Sequence, residues 1–178
     1  MSPLARTVPE IFGVMAVDPG TTSGVAAGLF HAAADIAGCI AGAEWEAWEV
    51  NGSPGEQAWE IMDEYKNRQV DWNIGGVAFP NMHFVVESFA LRLKKAHGAG
   101  SNQRMMDPIR VTSAMEALSF HYLSGELRPW VRFEYQLPSE AKRYVTSERM
   151  RRWGAWVKGS EHKRDATRHM IKKVSDII

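Results

Sequence analysis

Four side chains, far apart in the 178-residue sequence, have the types and settings that metal and acid–base chemistry need. Asp18 closes the apolar run Val14-Met15-Ala16-Val17 and is followed at once by Pro19-Gly20, so a strand carries one carboxylate to its end and the chain then turns. Glu87 closes Phe84-Val85-Val86 in the same manner. His162 and Asp165 stand three apart in a helix-patterned segment and share a face, with His169 seven residues beyond His162. Carboxylates gathered without a cation repel one another and raise each other's pKa, so the set is sensible only around a positive centre. Oxygen-rich ligands suit Mg²⁺ or Mn²⁺. Two such ions about 3.5–4 Å apart could activate water and stabilise the leaving oxygen of an in-line displacement. Each residue also has a plainer use, Asp18 as a turn cap, Glu87 as a solvated strand end, His162 and Asp165 as exposed helix residues. The ordered set of element ends favours a shared site.

The elements around them follow from pattern. Phe12 to Val17 and Gly24 to Phe30 read as a hairpin, and Glu44 to Val50 as a third strand. The Ala-rich piece from His31 to Ala43 fits a short helix or an inserted loop. Ser53-Pro54-Gly55-Glu56 announces a helix with a capping box, with Ala58, Trp59, Met62 and Tyr65 following at helical spacing. His83 to Glu87 reads as a strand, and 88–106, basic and carrying Gly98 and Gly100, as a partly mobile loop. Asp107-Pro108 opens a helix to about Ser124, Trp130 to Gln136 is a strand, and Pro138 to Tyr144 and Ser147 to Trp153 are short helices. A last helix from Ser160 to Asp176 presses Ala166, Met170, Val174 and Ile177 on the sheet. Strands first, then strands and helices alternating, predict an α/β fold with a mixed β-sheet flanked by helices. Residues 1–178 read as one domain with 1–11 as a loose arm.

Composition narrows the classes. The single cysteine, Cys39, rules out an internal disulfide and a thiolate cluster and fits a reducing, cytoplasmic setting. The first nine residues lack a signal-peptide pattern, and 11–43 is broken by Asp18, Pro19 and Asp35, so no membrane span is expected. Zero net charge hides an asymmetry: 1–91 hold 3 Lys+Arg against 12 Asp+Glu, a balance of −9, and 92–178 hold 18 against 9, a balance of +9. Either the second half meets a polyanion, or the two halves pair with each other.

With these residues in place, the chain resembles the RuvC-like Holliday junction resolvases of the ribonuclease H-like superfamily. The matching pieces are Val17-Asp18-Pro19-Gly20 with Gly24-Val25-Ala26, then Phe84-Val85-Val86-Glu87, Leu137-Pro138-Ser139-Glu140-Ala141-Lys142, and His162-Lys163-Arg164-Asp165-Ala166. The resemblance implies a ribonuclease H-like sheet and a homodimeric endonuclease that uses divalent metal to hydrolyse phosphodiesters in branched DNA such as four-way junctions. It implies Asp18, Glu87 and Asp165 as metal carboxylates, with His162 where many relatives carry another Asp. A neutral imidazole there binds metal but adds no negative charge. It further implies Lys142 beside the scissile phosphate and Phe89 stacking on exposed bases. Arg92, Lys94, Lys95, Arg104, Arg143, Arg149, Arg151 and Arg152 are candidates for phosphate contacts, which set affinity and salt dependence. The inserted 31–43 and the long basic 92–106 depart from a compact family pattern. They look closer to a phage-encoded relative, acting in a host cytoplasm on a broader range of branches.

Three other readings fit parts of the chain. Asp18-Pro19-Gly20-Thr21-Thr22 also resembles the phosphate turn of actin-like ATPases, which need two such domains. A YqgF-like nuclease acting on structured RNA has a similar first motif. A branched-DNA-binding protein with a degenerate site would need no catalysis.

Overall fold

The computed structural model describes residues 10–74, 82–88, 99–122 and 133–178. β1 (Ile11–Asp18) and β2 (Ser23–His31) pair antiparallel from Ile11 opposite His31 to Asp18 opposite Gly24. β3 (Glu44–Val50) joins the free edge of β2, also antiparallel. On the other side of β1, β4 (Met82–Glu87) and β5 (Phe133–Gln136) run parallel to it, giving the order β3-β2-β1-β4-β5. Parallel neighbours need long crossovers. α2 (Pro54–Ile74) lies between β3 and β4 in the chain, and α3 (Ala99–Tyr122) between β4 and β5. This is an α/β fold, a mixed five-stranded sheet with helices on both faces.

Side chains alternate across a strand, so each strand feeds two cores. Phe12, Val14, Ala16 and Val85 face α6 (Glu161–Ile177), where Ala166, Met170, Ile171 and Val174 are buried. Met15, Val17, Phe84 and Val86 face α2 and α3, meeting Ile61, Met62, Tyr65, Val111 and Met115. The remaining helices are short: α1 (Ile36–Ala41), α4 (Pro138–Tyr144) and α5 (Ser147–Arg152). α1 resolves the ambiguity of 31–43 toward a helix, capped by Asp35 through Gly38 N–H at 2.8 Å.

The predicted capping box is present. Glu56 accepts from Ser53 N–H at 2.8 Å, and Ser53 Oγ accepts from Glu56 N–H at 3.4 Å. Ala166, Met170 and Val174 form the predicted inner stripe of α6.

Three expectations are corrected. α3 begins at Ala99, so Asp107-Pro108 does not open it and 99–106 are helical. Gln103, Arg104, Met105 and Met106 are good helix formers, and Pro108 removes one rung without ending the helix. Trp59 is 54% exposed, because it lies one residue, about 100°, from the Ala58–Met62–Tyr65 line, and Gln57 and Ile61 fill the inner face instead. Ile11 belongs to β1 and not to a loose arm, while 1–9 lie outside the described residues. Trp153 and Trp156 are partly buried against the α6-side core, and the Arg151 guanidinium stands 4.1 Å from the centre of the Trp156 ring.

Candidate active site

Strand parity aims the site. Asp18 follows Phe12, Val14 and Ala16 onto the α6 side, and Glu87 follows Val85. Both stand at the carboxyl ends of neighbouring parallel strands, where open α/β sheets place ligands. The turn between β1 and β2 is locked from α2. Buried Gln57 donates to Thr21 O at 2.9 Å and Gly52 O at 2.8 Å, and accepts from Ser23 Oγ at 2.6 Å.

α6 enters directly over β2. A Cβ on Gly24 would lie 2.1 Å from His162 O, so the absence of a side chain allows the approach. Ser160 caps the helix, its Oγ accepting from Lys163 N–H at 3.3 Å. This docking sets His162 Nδ1 2.9 Å from Asp18 Oδ2. Asp18 is 7% exposed. Burial pushes its carboxyl above the usual range, the His162 bond opposes that, and the charges of Glu87 and Asp165 push it further up. His162 is raised by its bond to Asp18 against the effect of burial.

Glu87 meets a different partner. His169, fully buried on α6, sets Nε2 2.8 Å from Glu87 Oε2 and Nδ1 3.0 Å from Gln136 Oε1. Gln136 is the β5 residue opposite Glu87. His169 thus fixes the Glu87 carboxylate from behind.

Asp165 is held by two cations. Lys142 on α4 reaches its Oδ2 at 2.7 Å, and Arg168 donates to its Oδ1. Arg168 is itself anchored, donating to Val145 O and Ser147 Oγ, each at 3.2 Å. Burial lowers the Lys142 pKa, and the bond to Asp165 outweighs that, so the ammonium is held above its ordinary value.

The donor chemistry suits a hard divalent ion, since hard-oxygen side chains come from three elements and repel the Asp18 charge. Asp18 and Glu87 each keep one carboxylate oxygen without a protein partner among the described residues. Among the described residues no three His, Cys, Asp or Glu side chains stand close enough to grip an ion. Each carboxylate is instead turned onto an imidazole or a cation of the chain.

Among the described residues, the pairs Arg68–Glu46, Lys142–Asp165, Arg168–Asp165 and Lys173–Glu134 each join residues of the same half, while His162–Asp18 and His169–Glu87 cross between the halves. Arg143 on α4 and Arg149, Arg151 and Arg152 on α5 are exposed. Phe89, Arg92, Lys94 and Lys95 lie outside the described residues, as does the side chain of Arg104 on α3.

With this geometry, the chain matches the "Thermus thermophilus RuvC structure" at TM-score 0.51 over 92% of this chain and 93% of that one. The fold is RuvC-like. Identity is 14%, so the likeness to RuvC concerns the fold and not a phage source. No protein-family model and no curated protein matches the chain. No helix among the described residues is long and apolar enough to cross a membrane.

Sequence reasoning missed Arg168 and the partnership of Glu87 with His169 and Gln136. Arg168 stands three residues from Asp165, a spacing at which opposite charges meet on a helix. Gln136 gave no signal, because its role depends on register with Glu87.

Proposed function

We propose that the chain is a divalent-metal-dependent endonuclease that nicks branched DNA, four-way junctions above all. The observation that carries this reading is the placement of Asp18 and Glu87 at the ends of two neighbouring parallel strands with Asp165 on the helix packed over them, each carboxylate held by an imidazole or a cation of the chain. A RuvC-like fold supports it. The positive balance of the second half, +9 by count, supports a polyanionic substrate. The reading includes a homodimer, which would set one nick in each of two opposed strands, and a cytoplasmic setting. Residues 1–178 act in it as one nuclease domain.

In this reading Asp18 and Glu87 hold Mg²⁺, or Mn²⁺ in its place, with His162 and Asp165 completing the set. The bound ion supplies water activation and charge neutralisation at the phosphate. His162 orients Asp18 through Nδ1, and His169 does the same for Glu87. Lys142, half exposed, stabilises charge on the phosphate oxygen as it develops. Phe89 stacks on a base near the crossover, and Arg92, Lys94, Lys95, Arg104 and Arg143 track the backbone.

The test is a nicking assay on labelled four-way, Y-shaped and linear DNA with and without Mg²⁺ or Mn²⁺. Metal-dependent nicking of branched over linear DNA is expected. Binding without nicking at any metal concentration would refute catalysis, and preference for structured RNA would move the substrate to RNA.

A further inference from the structure

The corner between α5 and α6 gathers charge outside the strand-end site. Residues 149–164 carry six Lys+Arg against one Asp+Glu. At the centre stands Trp156, partly buried against the α6-side core, so its ring is a fixed platform. The Arg151 guanidinium, from α5, lies 4.1 Å from the ring centre, and that of Arg164, from α6, lies 5.5 Å from it. Neither meets a carboxylate among the described residues, whereas Arg152 spends its guanidinium on Glu148 and Arg168 spends its own on Asp165. A ring holds a guanidinium by its face and leaves the N–H edge available, while a carboxylate consumes that edge. Arg164 gives one N–H to Gly159 O, and Arg151 gives none among the described residues. The loop carrying Trp156 turns at Gly154, φ 72°, and Gly159, φ 107°. A Cβ on Gly159 would lie 2.8 Å from Lys163 Nζ, so a third cation is folded onto the same corner. Like charges on one ring repel, and anions at their outer edges remove the repulsion.

We propose that Arg151 and Arg164, splinted on Trp156, clamp backbone phosphates of a DNA arm lying outside the strand-end cleft. The inference deepens the nuclease reading and rests on it for the identity of the polyanion. The donors presented here are guanidinium edges, which suit phosphate oxygens and carry no base readout in themselves. Exposed Arg143 and Arg149 continue the charge along α4 and α5, which fits a polymer of phosphates better than a lone ion. The corner is joined to the cleft through α6: Arg164 precedes Asp165, and Ser160, just after the loop, caps the helix that carries His162. Trp156 is a positioning residue, acting through the two arginines.

The experiment is fluorescence anisotropy of a labelled synthetic four-way junction with the full chain in metal-free buffer, repeated across a salt series, on variants checked for folding by circular dichroism. Arg151→Gln and Arg164→Gln are each expected to weaken binding about two- to fivefold at fixed salt and to reduce the slope of log affinity against log salt by about 0.9. Trp156→Leu removes no charge and is expected to weaken binding by a similar factor, while Trp156→Phe keeps a ring and is expected to bind within about twofold of the wild type. Lys172→Gln, which removes a charge already paired with Asp176, is the control and is expected to keep the slope. Folded arginine variants with the wild-type slope, an equal loss in Lys172→Gln, or wild-type affinity in Trp156→Leu would overturn the clamp. Nicking is read separately. Weakened binding in the variants beside a wild type that cuts nothing at any metal concentration would remove the nuclease reading and leave the clamp standing. A wild type that nicks junctions beside variants that bind normally would remove the clamp alone, and a wild type that binds no junction would remove both.

Discussion

Replacing Gly24 with alanine tests how the site is assembled. The new Cβ would stand 2.1 Å from His162 O, 2.2 Å from His162 C and 2.8 Å from Lys163 N. All three are backbone atoms, so no rotamer change relieves the clash. Ordinary contact begins at 3.4 Å, so the start of α6 must retreat by about 1.3 Å. The His162–Asp18 bond, now 2.9 Å, lies in the same approach and would stretch beyond hydrogen-bond range. Overpacking of this kind costs about 1–3 kcal/mol. For a domain of this size that lowers Tm by about 2–12 °C. A displacement of about 1 Å in a catalytic group costs about a hundredfold in rate, which nicking kinetics on a four-way junction would read. Gly42→Ala is the control, since its Cβ would meet only Gly38 O, at 3.5 Å, with φ at −92°. Wild-type melting and nicking in Gly24→Ala, or an equal loss in Gly42→Ala, would refute the reasoning.

Asp18→Asn should abolish nicking while sparing junction binding in metal-free buffer; a mobility-shift assay beside the cleavage assay separates the two, and full activity would remove Asp18 from the chemistry. His169→Ala should cost about 2–5 kcal/mol in urea melts, because it opens a cavity and leaves Glu87 and Gln136 without their shared partner. A loss under about 1 kcal/mol would contradict that role. Burial pushes the Glu134 carboxyl up, but bonds from His83 and Lys173 outweigh it and hold it at about 2, against 4.5 unperturbed. Glu134 therefore stabilises the fold fully above pH 4.5, and this contribution fades as pH falls toward 2. Glu134→Gln should flatten that acid limb of a stability–pH curve, and an unchanged limb would deny the contribution. Junction affinity should fall linearly with salt on logarithmic axes, and a flat response would contradict binding through phosphate contacts.

The sheet was legible because its strands carry strong local signals. The apolar runs of β1 and β2, buried on both faces almost throughout, the Asp18-Pro19-Gly20 turn and the Ser53–Glu56 box are all written in neighbouring residues. The strand-end carboxylates were legible for the same reason, and the His162–Asp165 spacing needed only helical periodicity. Partners set by tertiary contact were not. Nothing near Glu87 in sequence announces His169, which is 82 residues away, and nothing near Gly24 announces that α6 would pass over it. Pro108 misled because proline is commonest at a helix start, whereas here the residues before it sustain the helix. Trp59 misled because helical spacing alone does not say which of two adjacent positions turns inward.

The order in which the pieces leave a ribosome follows from α6 coming after every strand. β1 emerges early, but the core on the face carrying Phe12, Val14 and Ala16 is incomplete until Met170, Ile171 and Val174 arrive to join Cys39, Ile40, Val145 and Met150 there. A nascent chain halted before residue 160 has Asp18 and Glu87 but neither imidazole that orients them, nor Asp165. Such a fragment is both sticky and incapable of assembling the constellation. Assembly of the site is therefore tied to docking of the last helix, and the proposed nicking activity would have to wait until synthesis has passed that point.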